Sequence, residues 1–328
     1  MSDTIRWGIL GTGFIARQFA EGLKSAHGAV LQAVGSRAMK TANTFGDLFN
    51  VPNRHASYEA LVADPEVDVI YVSTPHPLHK ENSILCLEAG KAVLCEKPFT
   101  INRREAEEVV ACARDHKRFL MEAMWTRFLP TVVQAAAWVR EGVIGEVRMV
   151  RADFGFRADY NEESRLFTPE MGGGGLLDVG IYPISLAAMV LGVRPEKITS
   201  MAVLGPTGVD DQNMVALQYA NGAIAVAASA VRTETPQDAC IIGEKGFITL
   251  HPLFWRGDTI TLSLQGKDPE TRHLPLTGNG YNYEAEAVME CMRAGKLECE
   301  QMCLDDTIAL MDILDTARAQ WGLRYPME

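Results

Sequence analysis

From residue 5 to about residue 121, short apolar runs alternate with amphipathic stretches, and this rhythm limits what the chain can fold into more than any other feature. Residues 6–10, 30–35, 67–73 and 91–95 read as strands, and residues 15–23, 41–49, 78–89 and 103–116 as helices. Alternation of this kind predicts a parallel sheet with helices on both faces. After Trp125 the rhythm changes. A helix at 130–140, a strand at 147–156, a loop and a helix ending at Leu191 lead into strand candidates at 198–205, 212–219, 223–231, 238–243, 246–250 and 258–264. Turn pairs such as Asn221-Gly222 and Lys245-Gly246 join several of these, which predicts a large open, mostly antiparallel sheet with closing helices at 283–293 and 304–320. The fold class is α/β with two domains, and the change of rhythm puts the boundary between residues 123 and 124.

Composition supports two packed cores: 328 residues, 47% hydrophobic and 22% charged. Lys and Arg number 31 against 42 Asp and Glu, so a net charge of -11 repels nucleic acid and anionic membrane surfaces. The first residues enter a strand pattern without a signal-peptide core, and no apolar run approaches about 18 residues, so a cytoplasmic protein is expected. Seven cysteines, at 86, 95, 112, 240, 291, 299 and 303, lack the CxxC pairs of a zinc site, so reduced thiols and no metal are expected.

The first strand ends in Gly11-Thr12-Gly13-Phe14-Ile15-Ala16, a G-x-G-x-x-A loop opening a helix. Gly11 permits a tight turn, Gly13 lets the backbone approach a pyrophosphate, and Ala16 lets helix and strand pack closely. The helix N-terminus that follows attracts phosphate. Residues 1–123 are therefore expected to form an NAD(P)-binding Rossmann domain whose loop, Gly11 to Ile15, meets the cofactor. A carboxylate that would bind a free ribose 2'-hydroxyl is expected about twenty residues further on. The chain has Gly35-Ser36-Arg37 there, a hydroxyl and a guanidinium suited to a 2'-phosphate, so NADP is favoured over NAD.

A lysine stands at the mouth of the strand at 91–95, in Glu96-Lys97-Pro98, where open parallel sheets place their ligands. Glu96 is expected to orient the nicotinamide ribose or the loop, and Pro98 can hold a cis bond. Thr74-Pro75-His76 follows the strand at 67–73 and lies at the same edge. Thr74, Pro75 and His79 are read as cofactor contacts, with His76 a weaker candidate. Further along, Gly172-Gly173-Gly174-Gly175 precedes Asp178 and Tyr182, whose i,i+4 spacing puts both on one helical face. A tyrosine, with a reference pKa near ~10, serves as acid or base near neutrality only if a cation stabilises the phenolate. Lys97 is that cation, Tyr182 the acid/base, and Asp178 the group that orients the lysine or a substrate hydroxyl. Phe154, Arg157 and Tyr160, before the glycines, are candidate substrate contacts.

With Gly11-Thr12-Gly13, Thr74-Pro75-His76, Glu96-Lys97-Pro98 and the glycine run before Asp178 in order, the chain resembles the Gfo/Idh/MocA oxidoreductases over essentially its full length. Glu122-Ala123-Met124-Trp125-Thr126-Arg127-Phe128 and Tyr182 resemble the branch with dimeric dihydrodiol dehydrogenase and NADP-dependent D-xylose dehydrogenase. Many members carry histidine where Tyr182 stands, which argues against a plain inositol dehydrogenase. The resemblance implies hydride exchange between NADP and a sugar, such as D-xylose or D-glucose, or a cyclic trans-diol. It also implies that Trp125 and Arg127 line the substrate pocket, and that residues 124–328 bind substrate and dimerise through the face of the sheet. Two other readings stand beside it: a glycoside hydrolase that recycles its cofactor, and a non-catalytic NADP sensor that would need neither Lys97 nor Tyr182.

Overall fold

The structure is a computed structural model and describes residues 4–328. The chain divides into two compact units. One reaches to Phe128 and includes Thr277–Ile308; the other comprises Leu129–Leu276 and Ala309–Glu328.

In the first unit, strand β1 (Ile5–Leu10) leads to helix α1 (Phe14–Leu23), then β2 (Ala29–Gly35), α2 (Met39–Phe49), β3 (Asn53–His55) and α3 (Tyr58–Val62). Next come β4 (Val69–Val72), α4 (His79–Glu88), β5 (Ala92–Glu96), α5 (Arg103–His116) and β6 (Leu120–Ala123). The strands form one parallel sheet in the order β3-β2-β1-β4-β5-β6. The order reverses between β1 and β4, the place where such sheets open a crevice at their carboxyl edge. β4, β5 and β6 are buried along their whole length; β4 and residues 92–95 of β5 read as unbroken apolar runs for that reason, whereas Glu122 interrupts β6, which the sequence pattern does not mark as a strand. The doubly wound sheet expected from the sequence is present.

The boundary and the closing helices differ from expectation. The first unit runs on to Phe128, and helix α8 (Tyr281–Arg293), expected in the C-terminal domain, packs against α1 instead. Asn279 Nδ2 donates to Gln18 O at 2.8 Å, and a Cβ on Gly22 would sit 2.7 Å from Tyr281 Cβ. The cause is spatial: the apolar face of α1 is completed by chain more than 250 residues away, which no change of rhythm at residue 124 could reveal. Helix α9 (Leu304–Trp321) then carries the chain from one unit into the other.

The second unit holds helix α6 (Pro130–Arg140), β7 (Val147–Gly155), helix α7 (Ile181–Leu191) and β8 (Lys197–Leu204). These lead to β9 (Asp210–Gln218), β10 (Ile224–Ala230), β11 (Ala239–Gly243), β12 (Gly246–Leu250), β13 (Thr259–Leu264) and β14 (Glu270–His273). The eight strands are ordered β14-β13-β12-β11-β7-β10-β9-β8, with β7 and β10 parallel and every other pair antiparallel. Val150, Ala225, Leu217, Ile241 and Ile248 turn to the face covered by α6 and α7. The helical stretch Pro169–Leu191 is 23 residues long and apolar enough to cross a membrane by length and composition. Glu170 and Asp178 interrupt it, so it is a helical stretch of apolar average rather than an unbroken apolar run. The stretch is mostly buried, as the core helix of the unit, because it must cover a wide sheet rather than meet water.

Candidate functional site

Each unit carries its own set of candidate residues. In the first, Gly11 adopts φ +108°, and a Cβ there would press on Ser73 O at 3.1 Å, so the turn after β1 needs glycine. Gly13 caps α1 without any side-chain hydrogen bond, and a Cβ on it would meet nothing within 4 Å. The first amide groups of α1 thus face open space with no side-chain acceptor, which suits a pyrophosphate. Phe14 is 77% exposed beside them. At the end of β2, Ser36 Oγ lies 2.6 Å from Thr41 Oγ1, and Arg37 is exposed with no ion pair among the described residues. A hydroxyl pair and an unspent guanidinium are what a 2'-phosphate requires.

His79 stands between the loops after β4 and β5. Its ring is fully buried, with Nδ1 2.9 Å from Pro98 O and Nε2 2.8 Å from Thr74 O. Burial pushes the imidazole pKa down, against the opposing pull of those two carbonyls. His79 is expected from the sequence to touch cofactor; its two nitrogens instead face main-chain carbonyls inside the unit, and the neutral ring, with one N–H, donates to one of the two loops at a time. Thr74 is held from below by Asn82 Nδ2 at 3.1 Å. Glu96 is likewise turned inward. Its Oε1 receives the Tyr71 hydroxyl and its Oε2 the Lys97 N–H at 3.2 Å, so each oxygen already holds one protein donor. Lys97 itself is half-buried at the carboxyl end of β5, and the Lys97-Pro98 peptide is cis.

Trp125 and Arg127 correct the expectation further. Both are buried in a short 3-10 turn, Trp125–Phe128. One face of the Trp125 ring is taken by Tyr281, stacked at 4.5 Å and 10°. Arg127 Nη1 donates to Gln301 O and Asp306 Oδ2, each at 3.0 Å. Nη1 of the guanidinium anchors the returning segment. Beneath this turn Glu122 accepts from Phe99 N–H at 3.2 Å and Thr307 Oγ1 at 3.1 Å, and burial raises its pKa to about 7.

In the second unit the glycine run is forced by close approach. A Cβ on Gly173 would lie 2.7 Å from Leu166 O, and one on Gly174, at φ +108°, would overlap Asp210 Oδ1. Asp210, with its pKa raised to about 7 by burial, accepts from Leu176 N–H at 2.8 Å and Asn213 Nδ2 at 2.7 Å. That carboxyl supports the start of a π-helical turn, Leu176–Gly180, which carries Asp178 and runs directly into α7. Asp178 Oδ1 accepts from Arg165 Nη1 at 3.0 Å. Tyr182, in the first turn of α7, lies with its ring centroid 5.3 Å from Phe154 and 6.2 Å from Trp255, and those two rings stack at 4.6 Å and 12°. The structure therefore brings Tyr182 and Phe154 together, with Asp178 one turn earlier on the same helical segment. Arg157 is exposed, its backbone bridged to Arg232. Sequence reasoning missed Trp255, Arg165 and Asp210. The only mark of Trp255 in the sequence is the pair Phe254-Trp255 between two strand candidates. Among the described residues, no group of three or more His, Cys, Asp or Glu is placed to hold a metal.

A parallel sheet in this order, with a glycine loop opening α1 and a second unit built on a wide mixed sheet, defines a two-domain nucleotide-dependent oxidoreductase. Residues 5–124 match the model of the oxidoreductase family with an NAD-binding Rossmann fold, and residues 132–249 match the GFO/IDH/MocA C-terminal domain. The chain belongs to the Gfo/Idh/MocA oxidoreductases and is an NAD(P)-dependent dehydrogenase. It is 38% identical to a mouse trans-1,2-dihydrobenzene-1,2-diol dehydrogenase, with 99% of each chain covered, and 36% identical to the human one over the same shares. Among solved structures it is similar to an aldose-aldose oxidoreductase from Caulobacter crescentus with glycerol, at TM-score 0.89 and 25% identity over 98% of each chain. It is also similar to a 3-ketoreductase from Actinomadura kijaniata with NADP and TDP-benzene, at TM-score 0.84 and 27% identity, covering 96% of this chain and 97% of that one.

Proposed function

We propose that this chain is an NADP-dependent dehydrogenase of a cyclic trans-diol or a pyranose, with Tyr182 as the acid/base and Lys97 as its cation. The observation that carries the reading is the placement of the Tyr182 phenol in an aromatic group with Phe154 and Trp255, on the helical face of Asp178. A flat or chair-shaped ring has apolar faces that such a wall can meet. Near-complete coverage by relatives named for a dihydrodiol supports the same substrate class. The open space at Gly13 and the uncapped start of α1 take the pyrophosphate, and Ser36 with Arg37 takes a 2'-phosphate. Bound there, NADP supplies the hydride acceptor.

The chain's own residues do the rest. Tyr182 receives the hydroxyl proton as hydride leaves the same carbon, and the Lys97 ammonium stabilises the phenolate and the developing alkoxide charge. Asp178, paired with Arg165, fixes a substrate hydroxyl or the lysine. The second unit, Leu129–Leu276 with Ala309–Glu328, supplies substrate contacts, and its sheet a dimer face. The register puts Met201, Val203, Met214, Ile224, Met149, Ile242 and Phe247 on one side of that sheet, and all but Ile242 are among the exposed large hydrophobic residues. An apolar stripe this wide on the uncovered face is suited to a second copy.

The test is net reduction of NADP, and separately of NAD, over a panel of cyclic trans-diols, aldopyranoses and open-chain polyols. Stoichiometric NADPH with a cyclic diol or pyranose, and weaker NAD use, is the expected result. Substrate breakdown without net NADPH would replace the dehydrogenase with a cofactor-recycling hydrolase.

A further inference from the structure

Gln237 lies in the loop between β10 and β11, 5% exposed and left-handed at φ 57°. A non-glycine residue holds that conformation where its surroundings fix it. All four of its hydrogen-bonding groups are engaged. The main-chain N–H donates to Asp153 Oδ2 at 2.8 Å, and the C=O accepts from Phe254 N–H at 2.9 Å. The side-chain Nε2 donates to Gly155 O at 2.9 Å and to Glu234 Oε1 at 3.2 Å. Its Oε1 accepts from the Trp255 indole Nε1–H at 2.9 Å.

These partners bracket one feature. Asp153 and Gly155 stand on either side of Phe154 in β7, and Phe254 and Trp255 are adjacent in the loop between β12 and β13. Gln237 therefore bonds the Trp255 indole directly and the two residues that bracket Phe154, and so ties together the stacked pair that flanks Tyr182. We infer that Gln237 is a positioning residue that sets the plane of the Trp255–Phe154 wall and thereby selects ring substrates over open-chain ones. This rests on the reading of Tyr182 as the acid/base. Without the amide the indole loses its acceptor and turns to find another, which widens or tilts the stack. A ring that lies on the wall loses contact, whereas a three-carbon hydroxyaldehyde makes little use of it. The substitution removes no group that carries the proton or the hydride, so the loss falls on KM rather than kcat.

Gln237→Met keeps the length of the side chain and removes both amide groups. For a cyclic trans-diol it is expected to raise KM about tenfold or more with kcat within about threefold, and to leave kcat/KM for glyceraldehyde within about threefold. The near-UV circular dichroism attributable to Trp255, taken as parent minus Trp255→Phe, should be lost as well. In the Trp255→Phe background, which already lacks the indole N–H, Gln237→Met should change KM by less than about twofold, since both substitutions break one bond. Additive effects, an equal loss on ring and open-chain substrates, or a fall in kcat overturns the proposal. If Gln237→Met does not accumulate as folded protein, Trp255→Phe alone, which breaks the indole bond and leaves every other bond of Gln237 in place, should raise KM for the cyclic diol about tenfold with kcat/KM for glyceraldehyde within about threefold; an unchanged KM there overturns it too. If the parent turns over no cyclic diol at all, the assigned substrate class has failed, and the dichroism measurement decides the positioning role by itself.

Discussion

Tyr182 and Lys97 come from different units, and the chemistry proposed for them rests on the phenol alone changing its proton. Tyr182→Phe keeps the ring against Phe154 and Trp255 and removes only the hydroxyl. It should lower kcat by roughly 10²-fold or more while NADP affinity stays within about twofold, the signature of a lost general acid/base. A kcat within a few-fold of the parent would remove Tyr182 from the mechanism. At this scale the sequence is legible where a residue type is demanded by backbone or by chemistry: Gly11 for its positive φ, Arg37 for its fork, Lys97 for its place at a strand end. It is not legible where the question is which way a side chain turns. His79, Glu96 and Arg127 stand beside the expected cleft in sequence, yet each spends polar atoms on the fold. Trp255 and Gln237 sit in loops without a period, so nothing in the pattern draws attention to them.

Among elements, the glycine run and the π-helical turn after it show most directly how local structure sets the site. Gly174 combines a left-handed φ with a backbone pressed onto Asp210, whose carboxyl in turn receives the Leu176 N–H. Gly174→Ala adds strain and a steric overlap at once, and should cost about 3 kcal/mol or more, with a matching fall in thermal midpoint. An unchanged midpoint would show that the run is not under the constraint described. The strands and helices themselves were largely readable, because β4, β5 and α5 carry strong apolar patterning. β3, β14 and the five-residue α3 were not: Asn53–His55 and Glu270–His273 are polar segments recruited by a neighbouring strand's hydrogen bonds rather than by burial.

At the scale of the whole molecule, burial raises two carboxyls to about 7, Glu122 in one unit and Asp210 in the other, and it also raises Glu284, which is fully buried. A carboxyl whose folded pKa exceeds its unfolded value near ~4 binds a proton only in the native state between those limits, so its contribution to stability falls as pH rises through that window. His79, shifted down, works the other way near pH ~6, but it is one group against four, since burial raises Asp211 as well. Asp64 and Asp68, shifted down, matter only in stronger acid. The thermal midpoint should therefore be higher at pH ~5.5 than at pH ~7.5, and Glu122→Gln with Asp210→Asn should flatten the difference. A midpoint that climbs steadily to pH ~7.5 would contradict the assignment. For the proposed dimer, Met214→Glu in the middle of the exposed stripe should halve the sedimenting mass, and a parent already monomeric at micromolar concentration would refute it. The return of residues 277–308 to the first unit has a consequence for biosynthesis. Although every strand of that sheet has been synthesised by residue 123, α1 keeps a bare flank until α8 emerges, so the unit matures only near the end of translation and a chain stopped at Leu276 would be a client for chaperones rather than a finished nucleotide-binding fragment.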